Sequence, residues 1–255
     1  METLIGYLIH NTGLGLWEFW VLCSVSFIGS LITAALGLGG GVLTLATMAL
    51  LMSPTVLIPV HAVVQLGSNF GRALLMFRDV VGEILPMLLL GTIIGAVVGG
   101  NVVIVLPIAI LQVILAIFIL YSVWTPSFQA KKPRKRAFIL VGAIGAFTTM
   151  FVGATGPVIA PFVIAASKGR KEIVATHAAC MTIQHAFKII TFGFIGFVFS
   201  PYIPLLIGLL LFGFGGTFFG KLLLNRLPEN LFSILLKIIL TLMAFKLFYD
   251  AMASW

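Results

Sequence analysis

Gly37-Leu38-Gly39-Gly40-Gly41 and Gly153-Ala154-Thr155-Gly156-Pro157 each interrupt an apolar stretch, at 17–36 with 41–52 and at 137–152 with 157–167. Unpaired backbone in hydrocarbon costs several kcal/mol per group. Such breaks therefore persist only where protein or a water-lined cavity satisfies them. Around them lie further apolar stretches at 57–77, 83–101, 106–124, 173–198, 202–222 and 229–250, each near the roughly 20 residues that span a bilayer.

Composition agrees with that setting. The 255 residues are 61% hydrophobic and 9% charged, against roughly 25% charged in a soluble domain. So few charges cannot cover a water-exposed surface, which excludes a soluble enzyme, a nucleic-acid binder and a disordered chain. The chain reads as an all-α integral membrane protein. Its net charge of +8 is concentrated in Lys131, Lys132, Arg134, Lys135 and Arg136, a run expected to face anionic lipid in the cytoplasm. Cys23 and Cys180 both fall inside apolar stretches, so no disulfide framework is expected. No basic residue precedes Arg72, so no cleavable leader is expected either.

The two breaks are 116 residues apart, and that offset aligns more than glycine. It pairs Gly29 with Gly145, Thr33 with Thr149, Gly40 with Gly156 and His61 with His177, and sets Arg72 opposite Lys188. After a five-residue shift Gly95, Gly99 and Pro107 meet Gly216, Gly220 and Pro228. The chain reads as a duplication: a first repeat over 1–124, a basic linker over 125–136 and a second repeat over 137–255. Lys and Arg occupy the turns near 78, 125–136, 168–171 and 221–226, and are missing from those at 53–56, 102–105 and 199–201. Equivalent turns of the two repeats thus carry opposite bias, which predicts an inverted repeat. Placing 125–136 and 168–172 on one side makes each interrupted pair a broken hairpin. Each repeat is then a hairpin plus three transmembrane helices, with both termini outside. The alternative is one long kinked helix per pair, giving parallel repeats.

The breaks aim the N-termini of 41–52 and 157–167, with their free amides, into the protein, an arrangement suited to an anion. The competing reading is tight helix packing by small residues. The helix after each hairpin carries a polar stripe. At about 100° per residue His61, Gln65, Ser68 and Arg72 fall within roughly 60° of one another, with Asn69 beside them. His177, Met181, Gln184 and Lys188 repeat those angles, with His185 at the Asn69 position. Polar groups inside a span usually face a bundle interior or cavity. Lys188 lies too deep for easy snorkelling, whereas Arg72 is close enough to its helix end to snorkel. The candidate substrate-binding set is Gly39, Gly40, Gly41, His61, Gln65, Asn69, Arg72, Thr155, Gly156, His177, Gln184, His185 and Lys188.

No HxxH, CxxC or mid-span carboxylate gives metal-ligand spacing, so no metal site and no cofactor are expected, and metal transport is a minor alternative. No Walker, Gly-x-Ser-x-Gly or His-Glu-x-x-His pattern supports an enzyme.

The repeated pattern GLGGGVLTLA, VHAVVQLGSNFGRALLMF and GTIIGAVVGG, with its second copy GATGPVIAP, THAACMTIQHAFKIITFGFIGF and GFGGTFFGKLLLNRLP, resembles the sulfite exporter TauE/SafE family over about residues 20–250. The resemblance implies a multi-pass inner-membrane secondary transporter of sulfite, an organosulfonate or a related small anion, often exported. The expected partners are a small anionic substrate and the lipid bilayer, with no nucleic acid, and self-association into a homo-oligomer stays open. The histidine roles rest on the stripe alone. A membrane scaffold or pH sensor that transports nothing is the other reading.

Overall fold

A computed structural model describes residues 12–36, 39–125, 133–223 and 229–253. Gly37, Lys131, Lys132, Arg226, Pro228 and both chain ends, whose sidedness was expected above, lie outside the described residues. The described chain is helical: α1 Leu16–Leu36, α2 Gly40–Leu51, α3 Pro54–Leu75, α4 Leu85–Val103, α5 Ile108–Trp124, α6 Ala137–Val152, α7 Gly156–Ala166, α8 Arg170–Phe194, α9 Ile203–Leu223 and α10 Glu229–Ala253. These ten coincide with the ten apolar stretches, their ends moved by a few residues. Proline at the first turn starts α3, α4 and α7, where its missing N–H costs nothing.

Three helical segments are long and apolar enough to cross a membrane, Leu16–Leu36, Gly82–Val103 and Ser200–Leu223. Leu90, Ile94, Val98, Leu211, Phe214 and Phe218 stand exposed on two of them, an outer surface that only lipid would solvate. The chain is a membrane protein.

Each interrupted pair folds back on itself. A Cβ added at Gly40 would meet Gly29 O at 1.7 Å and Thr33 Oγ1 at 2.5 Å, so α2 lies directly on α1, running antiparallel to it. In the second pair a Cβ on Gly145 of α6 would meet Ile159 of α7 at 3.0 Å. One long kinked helix would bring neither pair together. The hairpin ends where the backbone turns left-handed, at Gly39 (φ 98°) in the first pair and Gly153 (φ 78°) in the second.

Glycine also draws helices together between the two halves. On α4, added Cβ atoms at Gly91 and Gly95 would stand 1.8 Å from Ile139 O and 2.1 Å from Ala143 O of α6. On α9, those at Gly216 and Gly220 would stand 2.0 Å from Phe27 O and 2.4 Å from Leu31 O of α1. Both seams advance together along their helices, so α4 runs parallel to α6 and α9 parallel to α1. Ser26 adds a hydrogen bond from its Oγ to Leu209 O across the second seam, 2.7 Å.

Between the seams α3 packs on α8. His61 meets His185 midway, Met76 packs with Val174 and Ala175 at one end, and the Val81 amide donates to Thr176 Oγ1 just beyond. Numbers rise on one helix as they fall on the other, so α3 and α8 run antiparallel. Outside this group α5 pairs with α10, where Trp124 Nε1 donates to Thr241 Oγ1 and Lys237 lies 5.8 Å from the Trp124 ring.

Candidate functional site

The two breaks and the middle of α3 and α8 line a partly open cavity of about 40 Å³, room for roughly three water molecules. Eight of the thirteen expected residues line it: Gly39, Gly41, Gln65 and Asn69 from the first half, and Thr155, Gly156, His177 and His185 from the second. Thr33, Val42, Ala154, Pro157 and Met181 complete the wall.

The other five expected residues stand around it. Gly40 faces α1 and serves the hairpin contact with Gly29. His61 sets Nε2 3.1 Å from Gly41 O, and its ring meets that of His185 edge to face with centroids 6.3 Å apart. In the second half His177 Nε2 donates to Gly156 O at 3.2 Å, so each histidine ties its helix to the head of the preceding short helix. Gln184 accepts from Thr155 Oγ1 at 3.0 Å and donates to Gly142 O at 3.4 Å, joining α6, the break and α8.

The two cations are fully enclosed. Arg72, which the sequence allowed to snorkel, is 1% exposed and donates along its own helix to Asn69 Oδ1 and Ser68 Oγ. Asn69 in turn donates to Gln65 O at 2.7 Å, so guanidinium, amide and amide form one ladder ending at the cavity wall. Lys188 is 0% exposed and donates to Gly153 O at 3.2 Å, in the second break itself. Among the described residues the ion pairs are Lys135 with Glu83 and Lys246 with Asp250, both solvent-facing. No described carboxylate compensates Arg72 or Lys188. Burying an ion without a partner costs several kcal/mol, so the surroundings favour an arriving negative charge.

Backbone donors complete the arrangement. The first bonds of α2 run from Val42 and Leu43 to Gly39 O, and those of α7 from Val158 and Ile159 to Thr155 O. The amides of Gly40, Gly41 and Gly156 precede those bonds and carry the positive end of each short helix. Pro157 has no N–H, so the second break offers one donor fewer than the first. Chemically the arrangement can hold oxygen atoms of an anion. It offers no nucleophile with an adjacent base.

The sequence did not single out Thr33 and Ala154. Thr33 is one turn before the first break and aligned with Thr149, and that pairing is the signal that pointed to it. Ala154 carries no side-chain chemistry and is placed only by the backbone path. The family described as Sulfite exporter TauE/SafE matches residues 22–247 of the chain. No curated protein and no solved structure matches it.

Proposed function

The chain belongs to the sulfite exporter TauE/SafE family, and from that premise we propose that it is a secondary transporter exporting a small anion across the inner membrane. Sulfite, an organosulfonate or a related oxoanion is the substrate class. One observation carries this reading: Arg72 and Lys188, buried without a carboxylate, flank a cavity headed by the free amides of two broken helices. Anion oxygens would take those amides, and Gln65, Asn69 and His185 would supply side-chain contacts. A volume of about 40 Å³ favours the smallest members of the class, since an extended organic group would have to project beyond it.

The architecture proposed to carry the transport is a pair of inverted repeats, 1–124 and 137–255, joined by a cytoplasmic linker at 125–136. The antiparallel run of α3 and α8, which the 116-residue offset makes equivalent, supports it. So does the exchange of partners, since α1 packs on α9 of the other half just as α6 packs on α4. Both termini would then lie outside.

The test is counterflow of labelled sulfite in proteoliposomes. Trans-stimulation by unlabelled small oxoanions is expected. A protein that stays folded and shows no counterflow with any anion is a scaffold or sensor, and the transport reading then falls.

A further inference from the structure

Resting on the reading of this cavity as the anion site, the differences between its two halves limit the substrate further. The 116-residue offset pairs four positions whose members both line the cavity: Gly39 with Thr155, Gly41 with Pro157, Gln65 with Met181 and Asn69 with His185. Asn69 and His185 are polar alike. Thr155 adds a hydroxyl to the second half, but donates it to Gln184 Oε1 at 3.0 Å.

The other two pairs each lose a donor. Gly41 carries an N–H at the head of α2, and the Gln65 amide stands against it, 3.3 Å from where a Gly41 Cβ would be. Pro157, at the head of α7, has no N–H, and the Met181 thioether has no hydrogen to give. The Met181 sulfur stands 3.9 Å from where a Gly156 Cβ would be, so it flanks the second break as Gln65 flanks the first. Ala154 adds a methyl to the same wall. The cavity is lopsided.

We infer that the site takes an oxoanion whose oxygens lie to one side, with a fourth corner that asks for no hydrogen bond set against Met181 and Pro157. A lone pair, a carbon or a soft sulfur can occupy that corner. A fourth charged oxygen there would be stripped of water and left unpaired. Met181 and Pro157 are thus specificity-determining residues.

Thiosulfate and sulfate carry the same charge at neutral pH and share a four-cornered outline, and differ by one sulfur in place of one oxygen. Each is used as competitor of labelled-sulfite counterflow in proteoliposomes holding the full chain. Thiosulfate is expected to compete about tenfold better or more, the effect of leaving one charged oxygen unpaired. Met181→Gln gives the second half the amide that Gln65 gives the first, in a side chain of similar length. Sulfate is expected to gain in this variant until the two compete nearly alike. Met181→Leu, which stays apolar, is expected to keep the preference. Pro157→Ala returns the missing N–H independently and is expected to narrow the preference as well. It decides the matter should Met181→Gln not fold.

Equal competition in the unmodified protein, or a preference for sulfate, overturns the inference and leaves anion transport standing. A preference that survives unchanged in Met181→Gln and Pro157→Ala overturns it too, since size alone would then discriminate. Competition by neither compound, with sulfite counterflow intact, also overturns it. Absence of counterflow with every anion removes the transport reading and this inference with it.

Discussion

Neighbouring glycines of the first break should respond to alanine in opposite ways. At Gly40 a new methyl would stand 1.7 Å from Gly29 O and 2.5 Å from Thr33 Oγ1. Backbone cannot rotate away as a side chain can, so α1 and α2 must part until the nearest contact is at least about 3.0 Å. Overpacking of this kind costs about 1–3 kcal/mol. For a chain of this size 2 kcal/mol corresponds to about 4–8 °C of thermal midpoint.

At Gly41 the new methyl meets only the flexible Gln65 amide, at 3.3 Å. Alanine there also relieves the roughly 1 kcal/mol by which glycine disfavours helix. Gly40→Ala should therefore lower the thermal midpoint in detergent by several degrees, and Gly41→Ala should hold or raise it. Counterflow should show the reverse emphasis, because the Gly41 methyl occupies a cavity of about 40 Å³ beside a free amide and should weaken sulfite about tenfold. Equal midpoints for the two variants would refute the packing assignment of Gly40. An unchanged apparent sulfite affinity in Gly41→Ala would refute the assignment of the first break to the site.

Lys188→Met removes the buried positive charge beside the second break, and a charge-assisted contact to an anion is worth about 1.5–3 kcal/mol, so sulfite should bind about 10- to 100-fold more weakly by competition. Its thermal midpoint should not fall, since the variant no longer buries an uncompensated ion. Single cysteines replacing Ser53 and Gly169, both exposed, should label from opposite sides of the membrane once Cys23 and Cys180 are removed. Labelling from one side would exclude inverted repeats. An inside-negative potential, about 2.3 kcal/mol per charge per 100 mV, should drive outward flux of a monoanion. A sodium gradient alone should drive none, because no described carboxylate lines the cavity. Sodium-driven flux in liposomes with voltage and pH clamped would refute this.

The helices and the fold-back of each interrupted pair were legible because the bilayer demands regular backbone, whereas the pairing of helices between the halves was not. Ten apolar stretches became ten helices, and the two histidines that the 116-residue offset joins bond to Gly41 O and Gly156 O, acceptors that miss that offset by one residue. The stripe on α3 and α8 was legible for the same reason, since buried polar groups need neighbours. What the sequence could not separate was one glycine from the next. Gly39, Gly40 and Gly41 differ only in the direction their Cα faces, and that is set by the left-handed turn at Gly39, one residue before α2 begins. Arg72 was ambiguous because its distance from the helix end allows either direction. It turns inward because Ser68 and Asn69, one turn back, offer acceptors.

The two glycine seams bear on how such a molecule can move. Where main chain touches main chain, no rotamer layer exists that could deform, and sliding by one residue would drive a Cβ into a carbonyl. Each seam therefore behaves as a weld: α1 travels with α9, and α4 with α6. Any rocking that opens the cavity to one side and then the other must be taken up where side chains, not backbones, form the contact. In this molecule that leaves the α3–α8 crossing as the fulcrum, with the two histidine rings at its pivot.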